Sequence, residues 1–152
     1  MLSEFETRLS EDGMNYLHKV AEHPCSVGCN EPWKIFEMMR RNFNLDRMAE
    51  EYMYALAMDA RSHPIAIFEI SHGSVSNAFC QPREIMIRML LSGASSFALI
   101  HNHPSGDANP SMDDVQETKR VSEAAKLIGI KLVDHIIIGH NTYVSLLERE
   151  LL

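Results

Sequence analysis

No stretch of this 152-residue chain approaches the roughly eighteen consecutive apolar residues that a membrane-spanning helix needs. The N-terminus, "MLSEFETRLSEDG", is acidic and lacks the apolar segment of a secretory signal, so a cytoplasmic protein is expected. Cysteine is scarce. Cys25, Cys29 and Cys80 make an odd count, which does not describe a disulfide framework. Basic residues are the minority, 14 against 21 acidic, and the net charge is −7. That balance repels a phosphate backbone at long range and argues against direct nucleic-acid binding. Internal repeats and low-complexity tracts are also missing. What remains is an ordinary globular composition, 45% hydrophobic and 23% charged, on a chain long enough to bury a core.

The elements can be read from their punctuation. Residues 1–30 are expected to form a short polar arm with one weakly helical stretch. Within it, "HPCSVGC" holds Cys25 and Cys29, with His18 and His23 upstream. The C-x3-C spacing fits structural zinc patterns loosely and no second ligand pair follows, so a loop with two small buried thiols is expected. Pro32 suits the first turn of a helix, "PWKIFEMMRRNF", with Trp33, Ile35 or Phe36, and Met39 on one face and Arg40 and Arg41 near its C-terminal dipole. "EYMYALAMD" and "PIAIFEIS", parted by "ARSH", read as an antiparallel hairpin. "HGSVSNAFC" is a turn with a short strand. "QPREIMIRMLLSG" is a helix opened by Pro82 and stopped by Gly93. "SSFALI" is a buried strand, "SMDDVQETKRVSEAAKLIG" the longest helix, closed by Gly129, and "IKLVDHIIIG" and "TYVSLL" a last pair of strands. Strands outnumber crossovers, so the expected fold is an α/β (α+β) sandwich on a mixed sheet, with residues 1–48 as N-terminal arm and helix and 49–152 as the main domain.

The chemistry concentrates in "HNHPSGDANPSMDD". Residues i and i+2 of a strand point to the same face, so His101 and His103 at the end of "SFALI" can aim at one point. After the turn, Asp114 lies in the first turn of the next helix. Two imidazoles and one carboxylate leave a tetrahedral zinc one open position, the pattern of a catalytic site. Water held there has its pKa lowered towards ~7 and becomes a nucleophile. "SMDD" also has the form of a capping box, in which Ser111 and Asp114 bond each other's backbone amides. Asp107 and Asp113 are read as loop and helix-start carboxylates, and His72 and His135 as structural histidines.

His101-x-His103-Pro104, six residues, then Ser111-x-x-Asp114 matches the JAMM motif of MPN/JAB-domain metallohydrolases at every defined position. "PREIMIRMLLSGASSFALIHNHPSGDANPSMDDVQETKRV" resembles the RadC branch of that family. The resemblance runs from about Ala49 to the C-terminus. It implies a three-layer, cytidine-deaminase-like sandwich, a zinc cofactor on His101, His103 and Asp114, and hydrolysis of an amide or isopeptide bond in a peptide or isopeptide-linked substrate. Full-length RadC proteins carry a helix-hairpin-helix-like region before this domain, so the short arm here suggests the lone catalytic-domain form.

The family pattern also requires a glutamate on an earlier strand. Glu69, in "AIFEISHGSV", is expected to fill that place. It shares a strand face with Ile65 and Ile67, where an unpaired carboxylate is costly. On this reading Glu69 takes the water's proton and returns it to the leaving amine, while Ser111 supports the oxyanion. The alternative is a DNA-repair-associated RadC-type factor that acts by binding DNA or partners; the net charge weighs against it.

Overall fold

The computed structural model describes residues 1–25, 28, 31–73 and 81–152. Seven strands form one mixed sheet, in the spatial order β2-β1-β4-β3-β5-β6-β7. The strands are β1 (Leu2–Leu9), β2 (Asn15–His23), β3 (Glu51–Met58), β4 (Pro64–Gly73), β5 (Ser96–Asn102), β6 (Lys131–Gly139) and β7 (Thr142–Ser145). Pairing is antiparallel for β1/β2, β3/β4, β3/β5 and β6/β7, and parallel for β1/β4 and β5/β6. The expected mixed sheet, the β3/β4 hairpin and the final pair β6/β7 are all present.

Helices cover both faces. Helix α1 (Pro32–Phe43) lies over one, and α2 (Pro82–Ser92) and α3 (Met112–Leu127) over the other. Period-2 alternation divides the strands between two cores. Met53, Ala55 and Ala57 of β3, with Phe97 and Leu99 of β5, face the α2/α3 layer. Tyr54, Leu56 and Met58, with Ala98 and Ile100, face the α1 layer. Every residue of β5 is buried, which is why it reads as an apolar run and not as an alternating strand. Among the described residues no helix is long and apolar enough to cross a membrane.

Helix α1 begins with Pro32 in its first turn and ends at Asn44, which adopts φ 52° and donates its backbone N–H to Arg40 O. Its buried residues are Ile35, Phe36, Met38 and Met39. Trp33 is not among them: it is 51% exposed, and its indole N–H donates to Glu31. At 100° per residue Trp33 falls on the side of the helix away from that cluster, and Met38 takes the place expected of it.

The N-terminal arm differs most from expectation. In place of a polar arm with a helical stretch it is the β1/β2 hairpin, and β1 joins the sheet beside β4 through Glu4↔Ile67. Leu2 is buried in the α1 core, while Phe5 packs against the opposite one. Elsewhere the hairpin is largely solvated, and Val20 is an extra residue in its register, between Ala21↔Glu4 and Lys19↔Phe5. An edge hairpin with so few buried residues carries little periodic signal. The expected turn and short strand over "HGSVSNAFC" falls, from residue 74 onward, outside the described residues, as do Cys29 and Cys80; Cys25 is half-buried.

Candidate metal centre

Strand β5 delivers His101 to the α2/α3 side of the sheet, in line with Leu99 and Phe97. His103 follows two residues later, its backbone N–H donating to Ile138 O of β6, which continues the β5 direction just past the strand's end. The two Nε2 atoms stand 3.0 Å apart. His103 Nδ1 lies 2.8 Å from the Asp107 carbonyl. A carbonyl oxygen can only accept, so that ring nitrogen carries the proton and, in the neutral ring, Nε2 is left as a bare lone pair.

The turn "PSGD" that holds this carbonyl is seated tightly. Gly106 has φ 91°, its backbone oxygen accepts from His140 N, and a Cβ on the facing Gly139 would stand 2.2 Å from that oxygen. Gly139 is therefore required by close backbone approach, and Gly106 by its positive φ and by the His140 ring packed against it.

Helix α3 brings the carboxylate. Ser111 caps it as expected: Asp114 N donates to Ser111 Oγ at 3.0 Å, and Ser111 N donates to Asp114 Oδ2 at 2.8 Å. The same box aims Asp114 at the histidines, with Oδ1 3.3 Å from His101 Nε2 and Oδ2 3.2 Å from His103 Nε2. Capping and site geometry are one arrangement here, not rivals.

A second carboxylate enters from β3. Glu51 has only 4% of its side chain exposed, and its Oε1 is 3.8 Å from His101 Nε2. Among the described residues Glu51, His101 and His103 form a group whose donor atoms lie close enough together to hold a metal ion. Asn102 fixes the backbone on either side of Glu51. Its side-chain oxygen accepts from Tyr52 N at 2.7 Å, and its side-chain nitrogen donates to Glu50 O at 3.0 Å. Between the two histidines, Asn102 thus extends the β3/β5 ladder with a side chain where the backbone ladder stops.

Glu69 is elsewhere, and the expectation that it stands beside the histidines is corrected. It pairs with Tyr54, which pairs with Ile100, so its row belongs to the α1 face while His101 belongs to the other. Strand β3 also separates β4 from β5, placing them two spacings of about 4.7–4.9 Å apart. The Glu69 carboxylate is hydrogen-bonded to His72 Nδ1, and the His72 ring stacks on Tyr52. A carboxylate at the head of the doubly buried strand "EYMYALAM" carried the same burial-cost signal as Glu69, but which of the two faces the histidines depends on strand pairing.

The electrostatics agree with the geometry. Burial alone would raise the Asp114 pKa, but His101 and His103, which can donate to it from Nε2 only as protonated rings, overcome it and hold the carboxyl well below its usual range; with the rings neutral those positions are lone pairs. The hydrogen bond to Asp114 raises His103. Burial raises Glu51, against the opposing pull of His101 and His103. Two imidazole lone pairs and two carboxylates converging on one buried point call for a cation there. Tetrahedral zinc with ligands at about 2.0–2.1 Å separates its donors by about 3.3 Å. The two imidazole Nε2 atoms are 3.0 Å apart, and each lies 3.2–3.3 Å from one of the two Asp114 oxygens, so the donor groups cluster at about the separation such an ion needs.

Behind the site lie two buried residues, His135, expected to be structural, and Thr118, which has no role in the sequence reading. His135 Nε2 is 2.7 Å from His101 Nδ1, and Thr118 Oγ1 touches both His135 Nδ1 and the Asp114 carbonyl. In front lies an open cleft of about 570 Å³ bordered by Ala49, Glu51, Gly73, His103 and Pro104, a volume suited to part of a peptide or a small ligand.

Comparison with known proteins gives a consistent result. The family model of the RadC-like JAB domain matches residues 29–151. A UPF0758 protein of Clostridium acetobutylicum is 43% identical over 112 residues, covering 74% of this chain and 47% of that protein. One from Coprothermobacter proteolyticus is 41% identical over 123 residues, 80% of this chain and 52% of its own. A third, from Clostridium tetani, is 37% identical over 105 residues, 69% and 46%. The chain spans about half the length of these relatives.

Proposed function

The chain belongs to the RadC-like JAB domain family, and from that premise we propose that it is a zinc-dependent hydrolase that cleaves an amide or isopeptide bond in a peptide or isopeptide-linked substrate. The observation that carries this reading is the convergence of His101 Nε2 and His103 Nε2, 3.0 Å apart, on the Asp114 carboxylate, which places one oxygen 3.3 Å from His101 Nε2 and the other 3.2 Å from His103 Nε2.

In this reading His101, His103 and Asp114 would hold the ion beside the cleft. Zinc bound there supplies Lewis acidity, lowering the pKa of a water towards ~7 and polarising the scissile carbonyl. The remaining work falls to the protein. Glu51, not Glu69, is the acid–base group. Its Oε1 accepts a proton from the attacking water and delivers it to the leaving nitrogen, so the C–N bond breaks as an amine departs and a carboxylate forms. Burial that raises the Glu51 pKa brings it towards the range in which a carboxylate can do both. Ser111 Oγ accepts from Asp114 N and keeps its own hydroxyl proton available for the developing oxyanion. Buried, backbone-clamped supports around Glu51 and His103 keep these groups preorganised.

Two measurements test the reading together: zinc content of the purified chain, and cleavage of a panel of peptide and isopeptide substrates. About one zinc per chain is expected in the wild type and none in the His101→Ala, His103→Ala double variant, with cleavage lost alongside it. Equal zinc in both proteins would remove the site, and a zinc-loaded wild type that cleaves no amide would remove the reaction.

A further inference from the structure

A path of hydrogen bonds behind the site determines which nitrogen of His101 is free. Thr118 Oγ1 lies 2.6 Å from the Asp114 backbone carbonyl, which can only accept, so the single hydroxyl proton of Thr118 is committed there. Towards His135 Nδ1, at 2.5 Å, the same oxygen can then only accept, and Nδ1 must carry the ring proton. His135 is buried, and its two ring nitrogens meet the Thr118 hydroxyl and the His101 imidazole, with no carboxylate among the described residues bonded to either, so a charged ring would be an unpaired buried charge; the ring is neutral and its Nε2 is a bare acceptor. His101 Nδ1, 2.7 Å away, must therefore be the donor, and in the neutral ring its Nε2 is the lone pair. That atom is the one that meets His103 Nε2 and Asp114.

We propose that Thr118 and His135 are positioning residues that lock His101 as its Nδ1–H tautomer and so present Nε2 to the metal. The inference rests on the zinc reading of the site but concerns residues outside its motif. Each bond in the path has one permitted direction, starting from a backbone carbonyl and ending on a metal ligand. The path begins on the carbonyl of Asp114, so the third ligand and the first are held by one continuous run of buried groups. His103 reaches the same tautomer separately, through Asp107 O. Groups that orient a ligating histidine in this way usually contribute about 10–100-fold to metal affinity.

Two measurements on the full chain test it. Long-range proton–nitrogen NMR of the metal-free protein, in mildly alkaline buffer, reads imidazole tautomers directly; His135 and His101 should both carry the proton on Nδ1. Zinc affinity is then measured by competition with a chelator. Thr118→Val keeps the shape but removes the hydroxyl, and should weaken zinc about 10–100-fold while letting His135 sample the other tautomer. Thr118→Ser should restore both. A His135 protonated on Nε2 in the wild type overturns the proposal, and so does a Thr118→Val protein with wild-type zinc affinity. A residue of purely structural value would lower thermal stability without moving the tautomers. Should Thr118→Val fail to fold, the wild-type spectrum decides alone. Absence of zinc binding in the wild type would remove the hydrolase reading, while the metal-free spectrum would still judge the relay.

Discussion

Replacing Glu51 by Gln separates the proposed chemistry from the fold. Gln has nearly the same shape but cannot accept the proton of the attacking water. The side chain is 4% exposed, and its Oε1 sits 3.8 Å from His101 Nε2, too far for a strong direct bond but within reach of one shared water. Loss of a positioned acid–base group costs about 10²–10⁴ in turnover, or roughly 2.7–5.4 kcal/mol in the barrier. Stability should move the other way. Burial raises the folded Glu51 pKa above its unfolded value, so between those two values the native state binds more protons than the unfolded one. In the metal-free protein the contribution of Glu51 is therefore most favourable at low pH and is lost as pH rises through the folded value. Glu51→Gln removes that loss, and the metal-free variant should melt no lower than wild type at neutral pH. Turnover of an amide substrate, zinc content and thermal melting on the same preparations check this, with Glu69→Gln as the partner variant. Full activity in Glu51→Gln, or a Glu69→Gln protein that keeps its zinc but loses turnover, would refute the reasoning.

Ser111→Ala should cost about 0.5–2 kcal/mol of stability as a lost cap and a further hundredfold or so in turnover as a lost oxyanion donor; normal turnover in Ser111→Asp, which keeps a capping oxygen without a neutral hydroxyl, would leave Ser111 as a cap only. Asn102→Ala removes both side-chain bonds flanking Glu51, so kcat should fall while zinc content stays at one per chain, and unchanged kcat would show that β3 holds Glu51 unaided. With 21 acidic and 14 basic residues, anisotropy titrations with duplex and single-stranded oligonucleotides should be flat near physiological salt; sub-micromolar binding that weakens with a log–log slope of about −0.9 per phosphate contact would favour a DNA-binding role instead.

Local signals along the chain determined most of the elements. Pro32 and Pro82 start helices, Gly93 ends one, and the runs "EYMYALAM" and "SFALI" are strands because these side chains fit a doubly covered sheet. The two-residue spacing of His101 and His103, and the capping box that includes Asp114, are local geometry too, so three donors could be read from fourteen consecutive residues. Only the tertiary structure decided the rest. The β1/β2 hairpin has no strong apolar period of its own, because it meets the cores through few residues and gains its order by pairing with β4. Glu51 and Glu69 are both carboxylates on strands of one hairpin, and nothing local tells them apart. Pairing does: β3 lies next to β5 and turns Glu51 to the face of His101, while Glu69 falls one strand further away and points to the opposite layer. His135 and Thr118 lie 34 and 17 residues from the groups that give them meaning. A hydrogen bond's direction depends on which atoms meet in space, and their meeting here is set by the parallel pairing of β5 with β6 and the packing of α3 on β6.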